Sequence, residues 1–358
     1  MNLTRQMTFW VAALVVAALT IWLLRGVLLP FVAGMALAYL LDPVANRLER
    51  LGFNRLVATL LIIGVFIVGL VVLLILFAPV IGGQLSAFIQ KGPGYVERLQ
   101  SLVTDPNRPW LRKLSAGITE SGSSTGDLVK DAMGWLASFV SSLWSGGQAL
   151  ISIVSLVIVT PVVALYLLLD WHRMVATVDS WVPLPHRNVV RALAREIDAA
   201  LAGFVRGQTA VCLILGSYYA LTLSFAGLNF GLLIGLAAGL ITFVPYLGSM
   251  IGLVVGVGIA IAQFWPEYVP ILTVLGIFLV GQFVEGYVLS PKLVGESVGL
   301  HPVWLMFALF AFSYLFGFVG LLLSVPLAAA AGVLARFGLK RYLASPFYTG
   351  APPAGGPA

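Results

Sequence analysis

Charge is what this sequence has least of: 9% of its 358 residues are Asp, Glu, Lys or Arg, where soluble domains carry about 25%. So little polar surface cannot coat a water-facing globule, and with 60% hydrophobic residues the apolar excess must be solvated by lipid. Cysteine is nearly absent. The single Cys212 has no partner for a disulfide or a CxxC motif and reads as a small core residue. The three histidines, His172, His186 and His301, show no HExxH or HxxxH spacing, so neither a metal centre nor a cofactor is expected. Asp42 and Asp170 sit at the ends of apolar runs. An intramembrane enzyme built on paired aspartates is therefore not expected either.

The formal charge of +6 comes from basic residues scattered beside apolar runs. It reads as membrane topology, with no nucleic-acid partner implied. Apolar runs cover residues 9–29, 31–41, 56–80, 150–169 and 205–226, an interrupted pair at 229–263, a span at 269–289 and a second interrupted pair at 303–335. Runs of about 20 apolar residues are helical crossings, because lipid satisfies no backbone hydrogen bond. The fold class expected is an all-α polytopic integral membrane protein of about 8 segments. Two of these are inverted, Gly/Pro-broken hairpins, and a small helical insertion lies outside the membrane.

Orientation follows from Arg47, Arg50 and Arg55, from Arg173 through Arg206, and from Arg336, Lys340 and Arg341. Placing all three groups in the cytoplasm puts both termini there and residues 81–148 outside. The domain reading is then N-terminal helices at 1–80 and an extracytoplasmic insertion at 81–148, with a Ser/Gly-rich loop at 115–126. A membrane helix at 149–170 and an Arg-rich amphipathic helix at 171–206 follow. A transport core covers 207–338, with repeats at 207–265 and 268–336, and a tail at 339–358 ends in Gly, Pro and Ala. Arg187, Arg191 and Arg195 form a ladder on one helix face that acidic lipid headgroups or water can solvate. Asp170 and Arg173 are expected to pair at a helix end.

The two broken segments carry the functional signal. The first, GLNFGLLIGLAAGLITFVPYLGSMIG, is expected to break at Pro245 to Gly248, and the second, GLHPVWLMFALFAFSYLFGFVGLLLSVP, at Gly317 to Gly320. With the orientation above they run in opposite senses. Unwound backbone near the midplane is how inverted-repeat carriers expose N–H and C=O groups to a solute. Gly227, Gly231, Gly235 and Gly239, four apart, read as helix packing.

Glu285, near the cytoplasmic end of the span at 269–289, is the best candidate for a carboxylate within the membrane, with Gln282 a turn earlier. A charge there costs about 2.5–3.5 kcal/mol on the insertion scale. Burial favours the protonated acid and a neighbouring cation the carboxylate, so Glu285 is the candidate coupling group. Pairing with Lys292 at the interface is the alternative. Arg206 and Gln208, which could cap the span at 205–226, are further candidates to line the path, with Asn229, Tyr246, Ser249 and Gln263 near the first break and Ser313, Tyr314 and Ser324 near the second. They suit a hydroxyl-rich solute or a monovalent cation. Across 100 mV one charge is worth about 2.3 kcal/mol, roughly a 50-fold gradient.

Five ordered stretches, PVVALYLLLDWHRM, FVRGQ, FVPYLGSMIG, VEGYVLSPKLVGESVGLHPVW and LFGFVGLLLSVPLAA, resemble the AI-2E transporter family, the autoinducer-2 exporter family of predicted permeases. One departure is Ser313 and Tyr314 before Leu-Phe-Gly, where that family usually has small residues. The resemblance implies a multi-span permease that assembles as a homo-oligomer. Its activity would be export of a small furanone signal or exchange of sodium or lithium for protons. A membrane-anchored scaffold is the remaining alternative, but an anchor has no use for two broken hairpins.

Overall fold

The computed structural model describes residues 20, 23, 24, 27–104, 147–245, 247–294, 301–345 and 348. Most of the run at 9–29, the Ser/Gly-rich loop at 115–126, Tyr246 and the tail from 350 lie outside the described residues. Among the described residues the chain forms helices and no strand. These are α1 (Leu28–Arg50), α2 (Arg55–Thr104), α3 (Gly147–Ser180), α4 (Arg187–Phe225), α5 (Gly231–Ile241), α6 (Leu247–Phe264), α7 (Tyr268–Val284) and α8 (Pro302–Leu343). A 3-10 turn at Leu184–His186 precedes α4, and a π-helical segment, Glu285–Val294, continues α7.

Seven of the described helical segments are long and apolar enough to cross a membrane, and α5 is apolar but only 11 residues long. At about 1.5 Å per residue α5 spans roughly 17 Å, half the hydrocarbon core. The chain is thus an all-α, multi-pass membrane protein. Local chemistry fixes where helices start. The Asn54 side chain accepts from the Val57 amide at 2.8 Å to cap α2, and His301 accepts from Val303 to cap α8 ahead of Pro302. That gives His301 a structural task. α2 runs unbroken past residue 80 to Thr104, and Val65, Val68, Ile75 and Leu76 are each more than 60% exposed, as lipid-facing side chains must be.

Contacts group the chain into two compact units. The first is formed by the described parts of Met1–Ile63, Leu156–Gly207 and Lys292–Ala358. Its hub is Arg55, which donates to Asp42 at 3.1 Å, Glu49 at 2.9 Å, Asn46 at 2.8 Å and the Leu168 carbonyl at 2.8 Å. Asp179 holds Arg191 through two hydrogen bonds of 2.7 and 2.6 Å, with Arg187 at 3.8 Å. Two rungs of the arginine ladder are therefore clasped to α3. The expected Asp170–Arg173 pair does not form, because Asp170 is exposed with no bond to Arg173; water solvates it better than a short helix-end contact.

The second unit comprises the described parts of Gly64–Ser155 and Gln208–Pro291. α5 lies directly on α4: a Cβ at Gly231, Gly235 or Gly239 would overlap the backbone of Leu223, Ala220 or Gly216. This is close small-residue packing, where dispersion replaces the missing hydrophobic drive between helices in lipid. α6 packs on α5 and on α7, with Phe278 of α7 filling the space above Gly252 and Gly256.

Candidate functional site

The site of the second unit begins where α5 stops. Thr242 turns its hydroxyl back to the Ala238 carbonyl at 2.8 Å, and Phe243, Val244 and Leu247 then donate to the residues three before them. This 3-10 winding, followed by Pro245 with no amide proton, releases the chain from the α-helix. The described break therefore covers residues 242–245, beginning about one turn before its expected position at Pro245 to Gly248. Gly248 is buried inside α6.

A helix that ends in buried surroundings leaves carbonyls that water cannot reach. Gln208 of α4 meets one: its Nε2 donates to the Thr242 carbonyl at 2.5 Å, with the side chain 4% exposed. Gly248 closes the turn from the other side, since a Cβ there would overlap the Thr242 hydroxyl and amide and the Ala238 carbonyl. The hairpin tip is thus clamped by a glutamine and a glycine.

Next to Gly248, Ser249 is 2% exposed and hydrogen-bonds the Glu285 carboxyl. Glu285 ends α7 and opens the π-helical segment, a wider winding that recurs at functional positions. Its Oε2 is buried with no hydrogen-bond partner among the described residues. A carboxylate oxygen in that state calls for a proton, a cation or a solute donor. One turn before it on α7, a Cβ at Gly281 would overlap the hydroxyl of Tyr219. Tyr219 is fully buried, its ring 4.9 Å from Phe278, and its hydroxyl also lacks a partner. Cys212 and Tyr219 both lie within electrostatic reach of Glu285.

Of the residues singled out in the sequence, the structure brings Gln208, Gly248, Ser249 and Glu285 together, with half-buried Pro245 at the tip. Gln282 is exposed and does not join them. Asn229 is held at the α4–α5 loop, its amide donating to Gln263 and its side chain to the Tyr95 hydroxyl, each at 2.8 Å. Arg206 belongs to the first unit, where its Nε donates to the Tyr39 carbonyl at 2.9 Å. Gly317 and Gly320 are also in the first unit. The chain folds back at Gly317 (φ 62°, ψ −139°), because a Cβ on Gly320 would overlap the carbonyl of Phe312, a residue about 12 Å away along a straight helix. Beside that fold Ser313 is half-buried and Tyr314 is 88% exposed. No three His, Cys, Asp or Glu residues among those described converge as a metal site.

Tyr219 and Thr242 were not singled out from the sequence. Their signal was spacing: Gln208, Cys212 and Tyr219 recur on one face of α4, and Thr242 is the hydroxyl residue preceding the helix-breaking Pro245.

A multi-pass helical protein with a hairpin ending inside the apolar region, clamped beside an unsatisfied carboxylate, has the build of a membrane transporter. The chain belongs to the AI-2E transporter family, whose model, AI-2E family transporter, matches residues 11–340. Among its relatives, YrrI of Bacillus subtilis is 28% identical over 92% of this chain and 95% of its own length. PerM of Escherichia coli K12 is 26% identical over 86% of each chain. These two carry provisional transport-protein and permease names. The AI-2 transport protein TqsA of E. coli K12 is 23% identical over 84% of this chain and 83% of its own.

Proposed function

We propose that this transporter is a secondary carrier that exports a small polar solute such as autoinducer-2, with movement coupled to a proton or monovalent cation at Glu285. The observation that carries the reading is the buried, partnerless Oε2 of Glu285 beside the hairpin tip. Serine, tyrosine and a free carboxylate oxygen offer a hydroxylated solute both donors and acceptors. The same oxygen also supports exchange of sodium or lithium for protons, since a carboxylate alternately taking a proton and a cation is the minimum an antiporter requires.

The reading places the chain in a bacterial inner membrane with both termini cytoplasmic and 81–148 outside, following the positive-inside distribution of arginine and lysine. It retains residues 207–338 as the transport core with inverted repeats, and a homo-oligomeric assembly. The test is transport by purified protein in proteoliposomes under an imposed pH or sodium gradient, comparing autoinducer-2, sodium and lithium, with Glu285→Gln alongside. Solute or cation movement that responds to the gradient and loses that response in Glu285→Gln supports the reading. Transport unchanged by the substitution removes Glu285 from it, and no flux of any of the three overturns it.

A further inference from the structure

A cavity of about 310 Å³ lies wholly in the first unit, between α1 and α4. Its lining is Asp42, Pro43, Asn46, Arg47, Arg50 and Arg206. Three guanidinium groups therefore face one carboxylate, and that carboxylate is already committed: Oδ1 of Asp42 takes Arg55 at 3.1 Å and Oδ2 takes Asn46 at 2.8 Å. Glu49, the other acid of this turn, is also held by Arg55. Arg47 and Arg50, in the last turn of α1, make no side-chain bond among the described residues. Arg206 spends only Nε, on the Tyr39 carbonyl at 2.9 Å. That bond orients its fork, and neither terminal nitrogen bonds another of the described residues.

We propose that this cavity binds a phosphate group, carried by a membrane phospholipid or by a soluble phosphate. Three planar donors around one cavity match the several oxygens of a phosphate, whereas a carboxylate would satisfy one fork and leave two cations facing each other. The neighbouring acids offset this charge only in part, because the carboxylates of Asp42 and Glu49 are shared among the guanidinium groups of Arg47, Arg50, Arg55 and Arg206. Basic residues that only set topology would act as diffuse charge, for which arginine and lysine are equivalent. A built site requires the fork.

The experiment uses the full chain in neutral detergent and measures binding of three probes at constant ionic strength: inorganic phosphate, dioctanoyl phosphatidylglycerol and dioctanoyl phosphatidylcholine. Saturable binding of at least one anionic probe is expected, tighter than that of phosphatidylcholine. It should weaken about tenfold in the Arg47→Gln, Arg50→Gln double variant, the loss of roughly one charge-assisted contact. Those two side chains have no partner among the described residues, so an unchanged unfolding temperature serves as the folding control. Arg206→Lys, which keeps the charge and removes the fork, should weaken binding about threefold or more, while Arg195→Gln, outside the cavity, should not. Arginine-dependent binding of phosphatidylglycerol alone identifies a lipid headgroup as the source, and binding of inorganic phosphate identifies a soluble one. The proposal is overturned if neither anion saturates, if the double variant changes affinity less than twofold, or if Arg206→Lys binds as the parent does.

Discussion

The two interrupted segments look alike in sequence, yet they fold by different physics. At 242–245 the chain turns inside packed protein: Thr242 and Ser249 are at most 2% exposed, and Gln208 reaches from another helix to satisfy the Thr242 carbonyl. At Gly317 the chain turns on its own backbone, in a conformation essentially reserved for glycine, with open space where a Cβ would sit and Tyr314 standing 88% exposed beside it. The first turn is held by its neighbours and the second by its own dihedral angles. The first turn is sensitive to added volume and to hydrogen bonds lost from another helix, whereas the second is sensitive to its own glycines, Gly317 for its dihedral angles and Gly320 for its close approach to the Phe312 carbonyl.

The largest expected effect comes from adding volume at the clamped turn. Gly248→Val forces a side chain into the Thr242 hydroxyl and the Ala238 carbonyl and should destabilise the protein by about 3 kcal/mol or more, read as a collapse of folded yield and unfolding temperature in detergent. Gly317→Ala meets no atom but must adopt φ 62°, so a loss of about 1–3 kcal/mol is expected without a loss of folded yield. If the two variants behaved alike, the contrast between the turns would be wrong. Gln208→Leu should follow, at about 1–2 kcal/mol, because it strands one buried carbonyl; its transport rate should fall more than its unfolding temperature, since the clamp adjoins Ser249 and Glu285. Tyr314→Phe should be the smallest, within about 0.5 kcal/mol, because the phenol touches little. A large transport defect in that variant alone would show the second turn to be more than a fold-back.

Much of the fold was legible in the sequence because lipid imposes a simple rule: an apolar run must be helical. The glycines of α5 were legible as packing because four-residue spacing puts them on one helix face, and that face does lie on α4. Glu285 was legible because a carboxylate is conspicuous in an apolar run. Gln282, one turn away, was equally conspicuous but is exposed; the apolar ring of α7 neighbours carries no periodic signal to say which face turns inward. The role of Tyr219 was hidden because tyrosine is an ordinary packing residue, and its unsatisfied hydroxyl is visible only where Gly281 of another helix meets it.

By itself the sequence determined a multi-pass helical membrane protein with two broken segments and a carboxylate within an apolar run, because hydropathy, proline and glycine act locally along the chain. Only the tertiary structure decided which polar groups meet. It put Gln208 on the Thr242 carbonyl, Ser249 on Glu285, and Arg55 on Asp42 and Glu49. These are contacts between residues far apart in sequence, and their energy depends on the burial and distance that packing alone sets.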